Sequence, residues 1–228
     1  MVKEMICNPL VIIPSYKQSV NNIVDFYLEY LDEALIINFD DFKKQANCYA
    51  DGKMTCSYNY QNDNELKGVL ALAHTEWIAS EKKYDYIVIN EHDVIPNERS
   101  LYACIDIFQK MIKNPSMQPK LASVSCVYRW NGFHCYPSHT NWWNDKFFIR
   151  PEVEHVGDVR QIYSQGVPFG FSIWNPEALV FSKMEELPKT WKLDSKSGEF
   201  LHAQGFSHLR LLDYSVQHIN RGVNSWKK

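Results

Sequence analysis

The first half of this chain alternates short apolar runs with segments whose apolar residues recur at helical spacing. Asn8-Pro9 leads into Leu10-Val11-Ile12-Ile13, a run without polar interruption that ends at Pro14-Ser15-Tyr16. Such a run predicts a strand buried on both faces. Ser19 is placed to cap a helix carrying Val20, Ile23, Val24, Tyr27, Tyr30 and Leu31, and the next run is Ala34 to Phe39. The segment from Asp40 to Asn64 is polar with no sustained period, which predicts a long loop with a short helix. Asn64-Glu65 then opens a helix with Leu66, Val69, Leu70, Ala73, Trp77 and Ile78 on one face, before a third strand at Tyr86 to Ile89. Asn97 caps another helix bearing Leu101, Cys104, Ile105, Phe108, Met111 and Ile112, and a fourth strand is expected from Leu121 to Val127.

Beyond Tyr128 the periodicity dissolves. Arg129 to Phe148 is aromatic and rich in His, and regular elements are expected to return only near Pro168. Gly170 to Trp174 predicts a short strand, and Asn175-Pro176-Glu177 a helix start with its cap before a proline at the first helical position. A helix around Glu199 to Gln204, a turn at Gly205 and a strand from Leu209 to Val216 complete the pattern. Alternation of this kind predicts an α/β fold, a single-domain α/β/α sandwich with a mostly parallel central sheet. Its two halves would be about 1–127 and about 128–228.

Composition narrows the picture. At 228 residues and 45% apolar content the chain can bury one sizeable core. With 24 Lys plus Arg against 27 Asp plus Glu, its overall field gives no reason to expect tight nucleic-acid binding. Its 6 Cys include no CxxC pair, so reduced thiols and a cytoplasmic setting are expected, the host cytoplasm if the chain is viral. The run at Leu10 to Ile13 is far below a membrane span, and no membrane partner is expected.

In open α/β sheets, ligands bind outside the carboxyl ends of strands. The sharpest candidate there is Glu91-His92-Asp93, where a buried strand delivers two carboxylates at i and i+2. Hard oxygen ligands of this kind suit Mg²⁺ or Mn²⁺, which keep open positions for a diphosphate. The competing interpretation is an acidic cap on the following helix. Asp40 and Asp41 follow the second strand and would either contact a ligand or cap the next turn. Trp142-Trp143 would serve as a stacking platform or as core. The spacing of Cys126, His134, Cys135 and His139 matches no common structural zinc site.

Taken together, these residues resemble the GT-A (Rossmann-like) glycosyltransferases, and in particular the family-2-like branch. Glu91-His92-Asp93 is similar to the family's Asp-x-Asp motif, and Pro9 to Tyr16 to its first strand and nucleotide-side turn. The resemblance implies a metal-dependent hexosyltransferase that takes a sugar from a nucleotide-sugar, commonly a UDP-sugar. On that basis Pro14, Ser15, Tyr16, Asp40, Asp41, Glu91, His92 and Asp93 would contact the donor. Gly205-Phe206 and the strand ending in Gln217-His218 look like the family's closing elements. His218 would then join Glu91 and Asp93 as a ligand of Mn²⁺ or Mg²⁺. Gly170 and Phe171, with Trp142 and Trp143, would face the acceptor, and Asp194 or its neighbour Glu199 would be the base. The family's usual paired acidic motif is missing around Lys192-Leu193-Asp194-Ser195, and Glu91 stands where the family has Asp. The acceptor is open between a glycan, a protein, a small molecule and a hydroxymethylated DNA base. For DNA, Arg129, Arg150, Arg160, Arg210 and Arg221 would line the groove. Rival chemistries for paired carboxylates are nucleotidyl transfer and a metal-dependent phosphohydrolase using His92, Asp93, His134 and His139.

Overall fold

The computed structural model describes residues 8–15, 19–40, 42–59, 84–113, 120–130, 133–135, 154–156, 159–164, 170–181, 198 and 200–219. The expected helix from Asn64 to Ile78 lies outside these residues. The strands are β1 (Pro9–Ser15), β2 (Leu35–Asp40), β3 (Gln45–Ala50), β4 (Lys53–Asn59), β5 (Tyr86–Asn90), β6 (Val94–Ile95), β7 (Lys120–Trp130), β8 (Phe133–Cys135), β9 (Glu154–Val156), β10 (Val159–Ser164), β11 (Phe171–Trp174) and β12 (Phe206–His218). Among the described residues the helices include α1 (Asn21–Tyr30), α2 (Glu98–Ile112) and α3 (Pro176–Phe181), and residues 200–203 are helical as well. All strands belong to one sheet, in the order β4-β3-β2-β1-β5-β11-β7-β12-β10-β9, with β6 on β12 and β8 on β7.

The sheet is mixed, and this corrects the expectation of a mostly parallel one. β1 runs parallel to β2 and β5, and β7 parallel to β12. The other pairings, including β11 with both β5 and β7, are antiparallel. A continuous apolar run reports burial on two faces, which is the rule in parallel sheets but is met by an antiparallel strand as well when both its faces are covered. β11 is buried at all four residues, Ser172 included, yet runs antiparallel to both its neighbours.

The sandwich itself is present. Along β1, Val11 and Ile13 turn to a core shared with Ile23, Val24 and Tyr27 of α1 and Leu101, Cys104, Ile105 and Phe108 of α2. Leu10 and Ile12 turn to a second core with Trp174, Ala178 of α3, Leu201 and Phe206. Burying about 0.8 kcal/mol of transfer free energy per CH₂ on both faces makes these strands the stable centre. The caps follow the sequence only in part. Asn97 Oδ1 accepts from Ser100 N–H at 3.0 Å, and Asn175 Oδ1 from Glu177 N–H at 3.0 Å, as expected of N-caps. For α1 the cap position is Val20, without a side-chain cap, and Ser19 Oγ takes the Asn21 N–H at 3.4 Å.

Two further expectations are corrected. The segment from Asp40 to Asn64 is no long loop: Gln45–Ala50 and Lys53–Asn59 form an antiparallel hairpin. Its turn is Asp51-Gly52 with φ of 50° and 73°, the two positive values a type I′ turn requires. Regular structure also returns well before Pro168, because β7 runs to Trp130 and folds back as β8, and β9 and β10 extend the sheet. Cys126, weighed for zinc, is a fully buried core residue of β7.

Candidate functional site

The carboxyl ends of β1, β2 and β5 lie side by side because these strands run parallel. β5 ends at Asn90, a fully buried residue. Its side chain builds the turn that follows: Nδ2 donates to the carbonyls of Glu91 (2.8 Å) and Val94 (2.9 Å), while Oδ1 accepts from Tyr27 Oη of α1 at 2.7 Å. Val94 N–H closes the turn on Glu91 O at 3.1 Å. Within it Glu91 and Asp93 are half-buried while His92 and Val94 are buried, so the alternation expected of the motif survives past the strand end.

The turn is tied on three sides. Glu91 N–H donates to Gly170 O (2.9 Å), His92 N–H to Pro14 O (3.2 Å), and Ile219 N–H to Asp93 O (2.7 Å). The last bond, with the pairing of Val94 to His218, delivers the end of β12 to the motif across more than a hundred residues of chain. His218 Nε2 lies 3.6 Å from Asp93 Oδ2. Asp93 Oδ1 is buried with no hydrogen-bond partner among the described residues. A buried carboxylate oxygen without a donor is costly, so a cation beside it would be stabilising.

Of the three expected metal ligands, Asp93 and His218 therefore meet. Among the described residues no group of three His, Cys, Asp or Glu side chains converges, so Glu91 does not complete the set in this conformation. Two protein ligands with phosphate oxygens and waters still suit Mg²⁺ or Mn²⁺, which bind commonly through one or two carboxylates plus substrate phosphates.

A cavity of about 430 Å³ opens at the end of β2, against β3 and the start of α1. Asn38, Asp40, Phe42, Lys43, Asn47 and Tyr49 line it, and the start of α1 faces it through Val20 and Asn21. No acidic side chain occupies the first turn of α1. Asp40 is buried and has a local role as well: its Oδ1 accepts the N–H groups of Phe42 (3.1 Å) and Lys43 (3.2 Å), the capping alternative. Ser15 is buried and engaged, its Oγ donating to Phe39 O at 3.3 Å and accepting from Asn38 Nδ2 at 2.9 Å.

On the expected acceptor side, Phe171 is a core residue at 0% exposure, its N–H donating to Tyr128 Oη at 2.9 Å. Gly170 is there for space: a Cβ would stand 3.0 Å from both Tyr128 Oη and Val94 Cγ2. Tyr16, Asp41, Trp142, Trp143, Asp194 and Glu199 lie outside the described residues, as does His139 of the rival hydrolase set. Sequence reasoning missed Tyr27, Asn90, Asn38, Asn47 and Tyr49. The signal for Asn90 was present, a buried-strand residue with an amide directly before the acidic pair.

Comparison with known proteins gives no family. No family model matches the chain, and no curated protein matches it. Among solved structures, the chain is similar to one titled "Crystal Structure of A197 from STIV", at 13% identity and a TM-score of 0.44, covering 88% of this chain and 81% of that one. Among the described residues no helix is long and apolar enough to cross a membrane.

Proposed function

We propose that this chain is a metal-dependent glycosyltransferase of GT-A type that moves a hexose from a nucleotide-sugar, a UDP-sugar by preference, to an acceptor hydroxyl. The observation that carries the proposal is the convergence of Asp93 and His218, 3.6 Å apart and more than a hundred residues apart in the chain, at the same edge of the sheet where β2 and β3 line a cavity. The nucleoside would occupy the cavity, with Tyr49 or the exposed Phe42 offering a ring face and Asn38, Asn47 and Asp40 offering amide and carboxylate partners for a base. Its phosphates would extend past the α1 N-terminus, whose N–H groups favour negative charge, toward Asp93. Asp93 and His218 would hold Mn²⁺ or Mg²⁺, which supplies charge neutralisation to the departing diphosphate. The backbone bond from His92 N–H to Pro14 O ties the motif turn to the end of β1, the strand beside β2, which supports this reading. Asp194 or Glu199 is proposed as the base and the region around Trp142 and Trp143 as the acceptor platform.

Thermal denaturation with a panel of nucleoside diphosphates and nucleotide-sugars, with and without Mn²⁺, tests this. A ligand at a hundred times its Kd adds about 2.7 kcal/mol to stability. One UDP-sugar should raise Tm selectively with Mn²⁺, and Asp93→Ala should abolish the response. No shift with any nucleotide would refute the reading.

A further inference from the structure

The face of the sheet opposite α1 and α2 carries a polar patch in the middle of an otherwise apolar layer. The register sets Ser172 of β11 beside Ser125 of β7, and Ser125 beside Arg210 of β12. One row along, Trp174, Ser123 and His208 stand side by side in the same way. Leu209 and Leu211 flank Arg210 and belong to the helix-covered core, so strand alternation puts Arg210 on the other face. Ser123, Ser125, Ser172, His208 and Arg210 are all buried.

Part of this patch satisfies itself. Trp174 Nε1 donates to Ser172 Oγ at 2.7 Å, and Ser123 Oγ pairs with His208 Nδ1 at 2.7 Å. What is left over points one way. Arg210 is 7% exposed, and its Nε is buried with no hydrogen-bond partner among the described residues. His208 Nε2 is left in the same condition. Burial is what bears most on Arg210, and the ionisable groups that act on it, Tyr128 and Cys126, are a phenol and a thiol, not carboxylates. A guanidinium cannot shed its proton to escape this cost, and leaving a buried cation uncompensated is strongly destabilising.

From this geometry we infer that Arg210 is an anion site: its planar fork receives an oxyanion group of a ligand, a phosphate or sulfate ester or a carboxylate, with His208 Nε2 in its donor tautomer as second contact. Such bidentate pairing is what an arginine offers and a lysine does not. Arg210 shares β12 with His218, on the far side of the irregularity between Leu211 and Ser215, so the ligand would reach along that strand toward the motif turn. The inference stands apart from sugar transfer, because it needs only the orphaned cation.

The experiment titrates inorganic phosphate, and separately sodium acetate, into the protein at ionic strength held constant with NaCl, reading Tm and heats of binding. Phosphate strengthens burial in any protein by exclusion, so the comparison with variants decides. Saturable stabilisation of wild type is expected, at least tenfold weaker in Arg210→Lys and absent in Arg210→Met. Without oxyanion, Arg210→Met should be at least as stable as wild type, since it removes an uncompensated charge. Acetate acting in place of phosphate would specify a carboxylate. If Arg210→Met does not fold, wild type against Arg210→Lys decides alone. Equal responses in wild type and the variants, or no saturable response to either anion, would overturn the site. Asp93→Asn should keep the phosphate response while losing the nucleotide response, which separates failure here from failure of the transferase reading.

Discussion

On one side of β5, the sheet is built of neighbours in sequence; on the other, strands far apart in sequence are interleaved, with only β7–β8 and β9–β10 as local pairs among the described strands. β1, α1 and β2 form a parallel unit whose helix covers the strands it connects, and β3 and β4 add a hairpin. Across β5, β11 lies between β5 and β7, and β12 returns from the end of the chain to pair with β6, β7 and β10. The difference shows in what each side buries. The first side places its polar residues at strand ends, where Asn38 and Asp40 line a cavity. The second carries Ser123, Ser125, Ser172, His208 and Arg210 in mid-sheet, where polar groups are costly unless they serve something.

The largest effect expected from this contrast is in acid. His208 is held down to about 3, by burial first, then by Arg210 and His202. Its folded value lies below the unfolded one, so the unfolded chain binds the extra proton as pH falls below about 6.5. Stability contributed by neutral His208 is therefore intact near pH 7. It is lost as pH drops toward 3, at a limiting slope of about 1.4 kcal/mol per pH unit. Urea denaturation between pH 7 and 4 should show that slope in wild type and a shallower one in His208→Asn. Equal slopes would remove the cost assigned to the second side.

A smaller effect sharpens the first side. Tyr27→Phe keeps the ring in the core but leaves Asn90 Oδ1 without its donor, at a cost of about 1–3 kcal/mol. Because Asn90 Nδ2 also holds the carbonyls of Glu91 and Val94, the variant should bind Mn²⁺ more weakly as well as unfold earlier. A stability loss with unchanged metal affinity would show that Asn90 supports the core alone.

The same contrast explains what was legible in the sequence. β1, α1, β2, β5 and α2 follow from apolar runs and helical spacing because their contacts are local and their buried faces continuous. The β3–β4 hairpin was signalled by Asp51-Gly52, but β4 is largely exposed and the buried alternation of β3 rests on the small residues Ala46 and Cys48. β8 and β9 have three residues each, too short for any period to register. The direction of β11 was unreadable because four residues buried on both faces look alike in parallel and antiparallel sheets. At the site, Asp93 came from its spacing at a strand end and His218 from resemblance to a family pattern, and the pairing of β6 with β12 is what brings them together. Arg210 was visible only as one arginine among several, since burial of a charge leaves no mark in the sequence.

The central claim is that Asp93 and His218 hold one divalent ion beside a nucleotide. Titrating Mn²⁺ into the protein with and without UDP, followed by electron paramagnetic resonance of the free ion, tests it most directly. The account predicts one bound Mn²⁺ that UDP tightens, with affinity at least tenfold weaker in both Asp93→Asn and His218→Ala. Mn²⁺ binding that is absent in wild type, or unchanged in both variants, would contradict it.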